Sequence, residues 1–559
     1  MRFLAPLVLF LSMAGHSQDR SQARSMVMTD RGIVATSQTL ASQAGAQVLA
    51  RGGSAMDAAI AANAVLGVVE PESCGLGGDL FAIYWEAKTG KITGINASGW
   101  APRALSIDFL KSLGNKEMPQ EGIQSVTVPG AADGCEKLHQ RFGKLPWKDL
   151  FQPAIYYAEH GYPVTEIIAA AWRMEEAKLA KDANASKILL HNGAAPRAGE
   201  VFRDPQMAAA YRLLATEGAA AFYRGAIAKA ILRTSERLGG KMEAADLSEF
   251  QSEWVEPLST DYHGWKVYEL PPSGQGIAAL EMLNLFSLFP LAALPPRGVE
   301  EVHVQMEAQK LAYADLERYV ADMRFSQVPV AGMLSMDYAR ERAKRIDREK
   351  ASACVAEPGH PPGVPAGNTI YLSVVDKDGN IASLIQSLYQ HFGSGVVVDD
   401  YGFALQNRGG LFEMNPAHPN ALAGRKRPFH TIIPAFMEKG DIHMGFGIMG
   451  GLNQAQAHAQ FVSNVVDHGM NIQMALEAPR FTRIKFGDCE FSVESRFAPA
   501  VITGLVGKGH KLKVLGEFAS DVGGGQAVIH DAKTGVNYGA SDPRKDGAAV
   551  PEPAPYFGQ

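Results

Sequence analysis

Cysteine is scarce and scattered in this chain. Cys74, Cys135, Cys354 and Cys489 stand far apart among 559 residues, and none has a neighbour at the close spacing of a metal-ligand pair. A scaffold built on disulfides is excluded. Pairing in an oxidising compartment and burial as reduced thiols both remain open. No metal or organic cofactor site is legible. Long basic runs are also missing and the net charge is -6, so nucleic acid is not an expected partner. Beyond the first residues, no apolar run is long enough for a membrane span. Gly75-Leu-Gly-Gly78 is not followed by the Lys-Ser/Thr of a phosphate loop, and the dinucleotide spacing is absent. Those glycines read instead as close backbone packing beside a site. No internal repeat or low-complexity tract interrupts the chain.

What is present is ordinary globular composition, 46% hydrophobic and 20% charged, with ample length for a large core. At the start, Met1-Arg2 precedes the apolar run Phe3–Ala14, then small Gly15 and Ser17. This is the pattern of a secretory signal peptide covering residues 1–17. The run is short for a membrane anchor. A periplasmic or secreted protein without a membrane anchor is expected.

Helices and strands alternate along the rest. Gly32–Thr36 reads as a strand, and Gln38–Ala50 as a helix ended by Gly52-Gly53. Ser54-Ala-Met-Asp57 has capping-box spacing, with Asp for Glu, before a helix over Ala55–Val69. Leu80–Glu86 and Ile92–Asn96 read as a hairpin. Residues 146–240 read as a helical lobe with solvated charged faces. Residues 300–323 suggest a long amphipathic helix and Tyr338–Lys350 an exposed charged one. This alternation fits an α/β layered fold.

Chemistry concentrates at one threonine. Glu357–Asn368 is too rich in Pro and Gly for helix or central strand. From Tyr371 the residues alternate as a strand, Asp376-Lys-Asp-Gly379 makes a turn, and Asn380–Leu388 reads as the return strand. Thr369 stands where the linker enters this hairpin. Were the Asn368–Thr369 bond cut, Thr369 would carry an α-amine, titrating near ~8, beside its own hydroxyl, and could use it as a base. On local pattern alone, Thr369 is simply the first residue of a hairpin.

The run Thr369-Ile-Tyr-Leu-Ser-Val-Val-Asp-Lys-Asp-Gly-Asn380 resembles the start of the small subunit of γ-glutamyltranspeptidases. The resemblance continues through Phe392-Gly-Ser-Gly395, Leu405-Gln-Asn-Arg408, Lys426-Arg-Pro428, Met449-Gly-Gly451, Glu477-Ala-Pro-Arg-Phe481 and Tyr538-Gly-Ala-Ser-Asp-Pro-Arg544. In the first half it includes Leu76-Gly-Gly-Asp79, Val128-Pro-Gly130 and Ala312-Tyr-Ala-Asp315.

Several expectations follow from this resemblance. The fold is the N-terminal-nucleophile hydrolase sandwich, four layers in the order αββα. A precursor cuts itself into a large subunit, residues 18–368, and a small one, residues 369–559, which share one core. Thr369 is the nucleophile, Ser387 the hydroxyl beside it, and Gly450 and Gly451 the oxyanion hole. Without the resemblance, Ser387 is equally a polar residue on a strand's solvent face, and Gly450-Gly451 a tight turn. The implied partners are a small-molecule amide substrate and the two subunits of one precursor. No cofactor is implied.

Departures from the family pattern bear on the substrate. Ser98 stands where an Arg clamps the α-carboxylate of a glutamyl group, and Leu411 replaces the acid that holds the α-ammonium. Arg408 follows Asn407 where a neutral amide is usual, and His430-Thr431 replaces a serine pair. The zwitterion clamp is thus largely lost and a cation gained, which resembles the branch containing cephalosporin acylases and oxamate amidohydrolase. Arg favours bidentate carboxylates. Arg408 could equally be structural, and His430 a packed core histidine. The expected activity is amide hydrolysis or acyl transfer from γ-glutamyl compounds such as glutathione, or from related small amides. A hydrolase of dicarboxylic monoamides is the runner-up within enzymes. An uncleaved, inactive periplasmic binding protein is the alternative from another class, and a denaturing gel separates it from the enzymes.

Overall fold

Along Asp79–Glu86 the side chains divide by parity. Leu80, Ala82 and Tyr84 join one buried cluster, while Phe81, Ile83 and Trp85 join another. Ile381–Ser387 divides the same way, Ala382 and Leu384 to the first cluster, Ile381 and Ile385 to the second. A strand buried on both faces belongs to a sheet covered on both sides.

The computed structural model describes residues 22–354, 356–359 and 371–556. The expected signal peptide and Thr369 lie outside the described residues. Two seven-stranded sheets face each other. The first runs Ala548–Pro551, Ile33–Thr36, Leu372–Val375, Ile381–Ser387, Asp79–Glu86, Lys91–Ala97, Glu253–Val255. The second runs Val27–Thr29, Val536–Ser541, Gly525–Asp531, Ile442–Ile448, Ala435–Lys439, Trp265–Glu269, Leu258–Tyr262. Pairing within both is antiparallel. Helices Thr39–Ala50 and Ala55–Val69 cover the outer face of the first sheet. Gly276–Phe286, Asn453–Val466 and Ile472–Glu477 cover that of the second. These are the four layers of an N-terminal-nucleophile hydrolase.

The capping box forms as expected. Ser54 Oγ accepts from Asp57 N at 3.1 Å and Asp57 Oδ2 accepts from Ser54 N at 3.0 Å. The helix it starts, Ala55–Val69, is buried along its whole length. Its small side chains let Thr39–Ala50 approach closely: a Cβ on Gly45 would meet Ala58 O at 3.2 Å. The helices between Trp147 and Arg237 pack into the same cluster rather than standing off as a separate lobe. Among the described residues, no helix is long and apolar enough to cross a membrane.

Two helical readings need correction. Val299–Tyr319 is buried on nearly every side, not amphipathic. Several of its polar residues find partners inside: His303 pairs with His510 at 2.8 Å and Lys310 with Glu307 at 2.7 Å. The charged helix is shorter, Met336–Ala343, and its Arg342 is buried against Asp315 at 3.0 Å. The cysteines divide as well. Cys354 and Cys489 form a disulfide with Cα atoms 4.7 Å apart, while Cys74 and Cys135 are free and buried.

Candidate active site

Ser387 is the last residue of an interior strand and lies in register with Asp79 on the next. Gly78 passes so close that a Cβ there would meet Ser387 O at 2.5 Å. This is the close packing expected of the glycine cluster. After Ser387 the chain reverses through Tyr389 (φ 78°) and Phe392 (φ 52°), both left-handed without being glycine. Bonds hold this turn in place. Tyr389 N donates to Ser387 Oγ at 2.7 Å and Leu388 N to Ser73 O at 3.0 Å. Asn407 clamps it from below. Its Oδ1 accepts from Gln390 N at 3.1 Å, and its Nδ2 donates to Gln120 O at 2.7 Å and Gln390 Oε1 at 2.9 Å.

Gly450 (φ 120°) and Gly451 (φ 65°) form the turn between strand Ile442–Ile448 and helix Asn453–Val466. Other residues rarely tolerate both angles. Their carbonyls accept from Asn453 N and Gln454 N at 3.0 and 3.2 Å, so the turn leads directly into a helix N-terminus, where backbone dipoles favour negative charge. Gln275 Nε2 adds a bond to Gly451 O at 3.1 Å. Ser387, Tyr389, Gly450 and Gly451 line one cavity of about 280 Å³, with Met174 and Lys545 also on its wall.

Behind that wall lies a buried polar group organised by Asp79. Asp79 Oδ1 accepts from Gly99 N at 3.0 Å, and Oδ2 lies 3.0 Å from His430 Nε2 and 3.7 Å from Arg408 Nε. Arg408 donates through Nη1 to Thr431 Oγ1 at 2.5 Å and stands 5.1 Å from the centroid of the Tyr389 ring. Its Nη2 has no hydrogen-bond partner among the described residues. Burial pushes the Asp79 carboxyl up to about 7 although Arg408 pulls it back, and pushes Arg408 down to about 10. His430, stacked on Phe81 at 4.8 Å, is held well below its ordinary value by burial and by the Arg408 charge, and stays neutral.

The structure therefore brings Ser387, Gly450 and Gly451 to one cavity, and gathers Arg408, His430 and Thr431 around Asp79. Asn407 is the clamp of the turn between them. Ser98 is turned away: its hydroxyl donates to Asn96 Oδ1 at 2.7 Å and its carbonyl accepts from Arg427 Nε at 2.8 Å. Sequence reasoning did not single out Asp79, Tyr389 or Lys545. For Asp79 a signal existed, since an acid directly after Gly77-Gly78 opens a strand that is apolar from Leu80 to Trp85.

Comparison with known proteins fits this geometry. The family model described as gamma-glutamyltranspeptidase matches residues 41–552. The chain belongs to the gamma-glutamyltranspeptidase family. Among relatives, the glutathione hydrolase-like YwrD proenzyme of Bacillus subtilis is 34% identical, over 94% of this chain and 99% of the relative. The oxamate amidohydrolase proenzyme of Klebsiella pneumoniae is also 34% identical, over 94% and 99%. The crystal structure of a cephalosporin acylase from Bacillus halodurans superposes with a TM-score of 0.90 at 40% identity, covering 98% of this chain and all of the other. This gamma-glutamyltranspeptidase family member is accordingly an enzyme, an N-terminal-nucleophile hydrolase. The inactive binding-protein alternative is set aside on these grounds.

Proposed function

We propose that this enzyme is made as an exported precursor, severs its own Asn368–Thr369 bond, and then hydrolyses or transfers the acyl group of small amides. Thr369 Oγ attacks the Asn368 carbonyl, the backbone nitrogen leaves, and water resolves the ester. The freed α-amine of Thr369 then takes the hydroxyl proton as Oγ attacks the substrate carbonyl. The amine departs with that proton, and water or an acceptor amine resolves the acyl-enzyme.

The observation that carries this reading is the convergence of Ser387 with Gly450 and Gly451 on one cavity. Backbone N–H groups at such a turn stabilise the developing oxyanion, and each donor is worth on the order of 3 kcal/mol in other hydrolases. Within the range of γ-glutamyl compounds such as glutathione and related amides, Arg408 favours acyl groups that end in a carboxylate. Its buried Nη2 has no partner among the described residues, and Tyr389 connects it to the cavity. This also supports the second reading, a hydrolase of dicarboxylic monoamides.

N-terminal sequencing of the smaller band on a reducing gel tests the main reading, with Thr369 expected first. A purified chain that hydrolyses amides while remaining one polypeptide would refute it. For the substrate, glutaryl and γ-glutamyl anilides are compared in the wild type and in Arg408→Ala. Preference for γ-glutamyl anilide, unchanged by the substitution, would remove Arg408 from acyl recognition.

A further inference from the structure

Lys545 lines the same cavity as Ser387, Gly450 and Gly451, whereas Arg408 does not. Its side chain packs on Gly524 and reaches across to the end of helix Ala55–Val69, where Nζ lies 3.4 Å from Glu70 Oε1. Among the described residues no other group accepts a hydrogen bond from it. An ammonium has three donors, so one long contact leaves most of its capacity unused.

A purely structural counter-ion would be expected to serve the acids around it more closely. Glu70 is already bonded through Oε2 to the Ser37 hydroxyl. Glu72 makes its bond through Oε1 with Ser73 at 3.3 Å, and its Oε2 has no hydrogen-bond partner among the described residues. Burial and the neighbouring Glu70 push the Glu72 carboxyl up to about 8, so near neutral pH it is largely uncharged, and Lys545 is left with the Glu70 contact and, beyond hydrogen-bond range, Asp546. His391, also on the wall, is pushed down to about 4 by burial and by nearby lysines, and adds no charge. Asp521 is an exposed acid on that wall, where solvent screens it.

We propose that Lys545 is a specificity-determining residue that binds a carboxylate on the amine half of the substrate. The acyl half is directed toward Arg408 by the reading above, and Lys545 is a separate cation in the cavity. The enzyme would then favour amides whose leaving amine is itself an acid, such as an amino acid or an aminobenzoate. This rests on the amidohydrolase reading only in taking this cavity as the site.

Direct binding of analogues of the amine half separates the claims, because it needs no turnover. Aminonitrobenzoate and para-nitroaniline differ by one carboxylate. In calorimetry with the mature wild-type enzyme, the benzoate should bind about tenfold or more tighter, the value of a charge-assisted bond. Lys545→Met should bring that ratio to about one, and Lys545→Arg should keep most of it. Because Lys545→Met strands the Glu70 charge, the double variant Glu70→Gln/Lys545→Met provides the same test with that charge removed. An equal affinity for both amines in wild type, or a ratio that survives in the Met variants, overturns the proposal. If the ratio is as expected but no anilide is turned over, the activity fails and the carboxylate site stands.

Discussion

Asp79 Oδ2 and His430 Nε2 meet at 3.0 Å, and neither side chain has access to solvent. Burial raises the carboxyl and lowers the imidazole, so the folded enzyme holds a proton that unfolded Asp would give up and lacks one that unfolded His would bind. Between about pH 4 and pH 6.5, the ordinary values of the two groups, these contributions offset each other. In Asp79→Asn only the His430 contribution survives. A group whose folded value is depressed loses stability as pH falls below its unfolded value. The His430 contribution is common to both proteins, so the melting temperature of Asp79→Asn relative to wild type should climb as pH rises from about 4 to about 7, the raised value of Asp79, and level off above. The slope corresponds to about 1.4 kcal/mol per pH unit. A flat difference would mean that Asp79 is ionised throughout.

The Ser387 hydroxyl accepts the Tyr389 amide at 2.7 Å and so fixes a left-handed residue on the cavity wall. Ser387→Ala removes the acceptor of that half-buried N–H, at a cost of about 1 kcal/mol. Turnover should fall by about tenfold or more together with thermal stability, and Ser387→Thr should recover both. Full activity in the alanine variant would show that the hydroxyl has no part in the reaction.

Gly450→Ala places a Cβ 3.2 Å from Gly523 Cα on a backbone with φ 120°. The turn must shift, and with it the proposed oxyanion donors. A loss in kcat of about a hundredfold or more is expected, with a smaller change in KM, since such donors act on the transition state. Steady-state kinetics on any anilide that the wild type cleaves would check this. A change confined to KM would assign the glycines to substrate binding alone.

Cys354 and Cys489 lie on either side of the proposed cut at Thr369. The mature enzyme should run as one band on a denaturing gel without reductant and as two with it. Cys354→Ser should give two bands in both. Two wild-type bands without reductant would show that the thiols are unpaired in the purified protein.

Local features were legible in the sequence because their causes are local. Ser54 and Asp57 bond each other across one turn, and the start of Ala55–Val69 follows from that. Leu80–Glu86 reads as a strand from its nearly unbroken apolar run, the pattern of a strand covered on both faces, but which residues face which cluster shows only in the fold. Val299–Tyr319 was misread because periodicity cannot distinguish a polar residue facing water from one facing a buried partner such as His510. Arg342 was misplaced on the surface for the same reason, its partner Asp315 being set by the tertiary fold. The Cys354–Cys489 pair spans a separation of 135 residues, and only the folded chain brings it together. The position of Asp79 at the head of an apolar strand marks it as unusual, but one carboxylate has no spacing signature that names its partners. Its role appears only when His430 and Arg408 arrive from elsewhere in the chain.

In the first sheet, Leu372–Val375 and Ile381–Ser387 are inserted between Ile33–Thr36 and Asp79–Glu86, while Ala548–Pro551 closes the outer edge. A gene encoding only the part from residue 369 onward would therefore produce hydrogen-bonding edges with nothing to mate with, and its counterpart would carry a sheet with its centre missing. Neither fragment is a module that evolution or an engineer could transplant alone. The proposed cut at Thr369 would therefore follow assembly of this sheet.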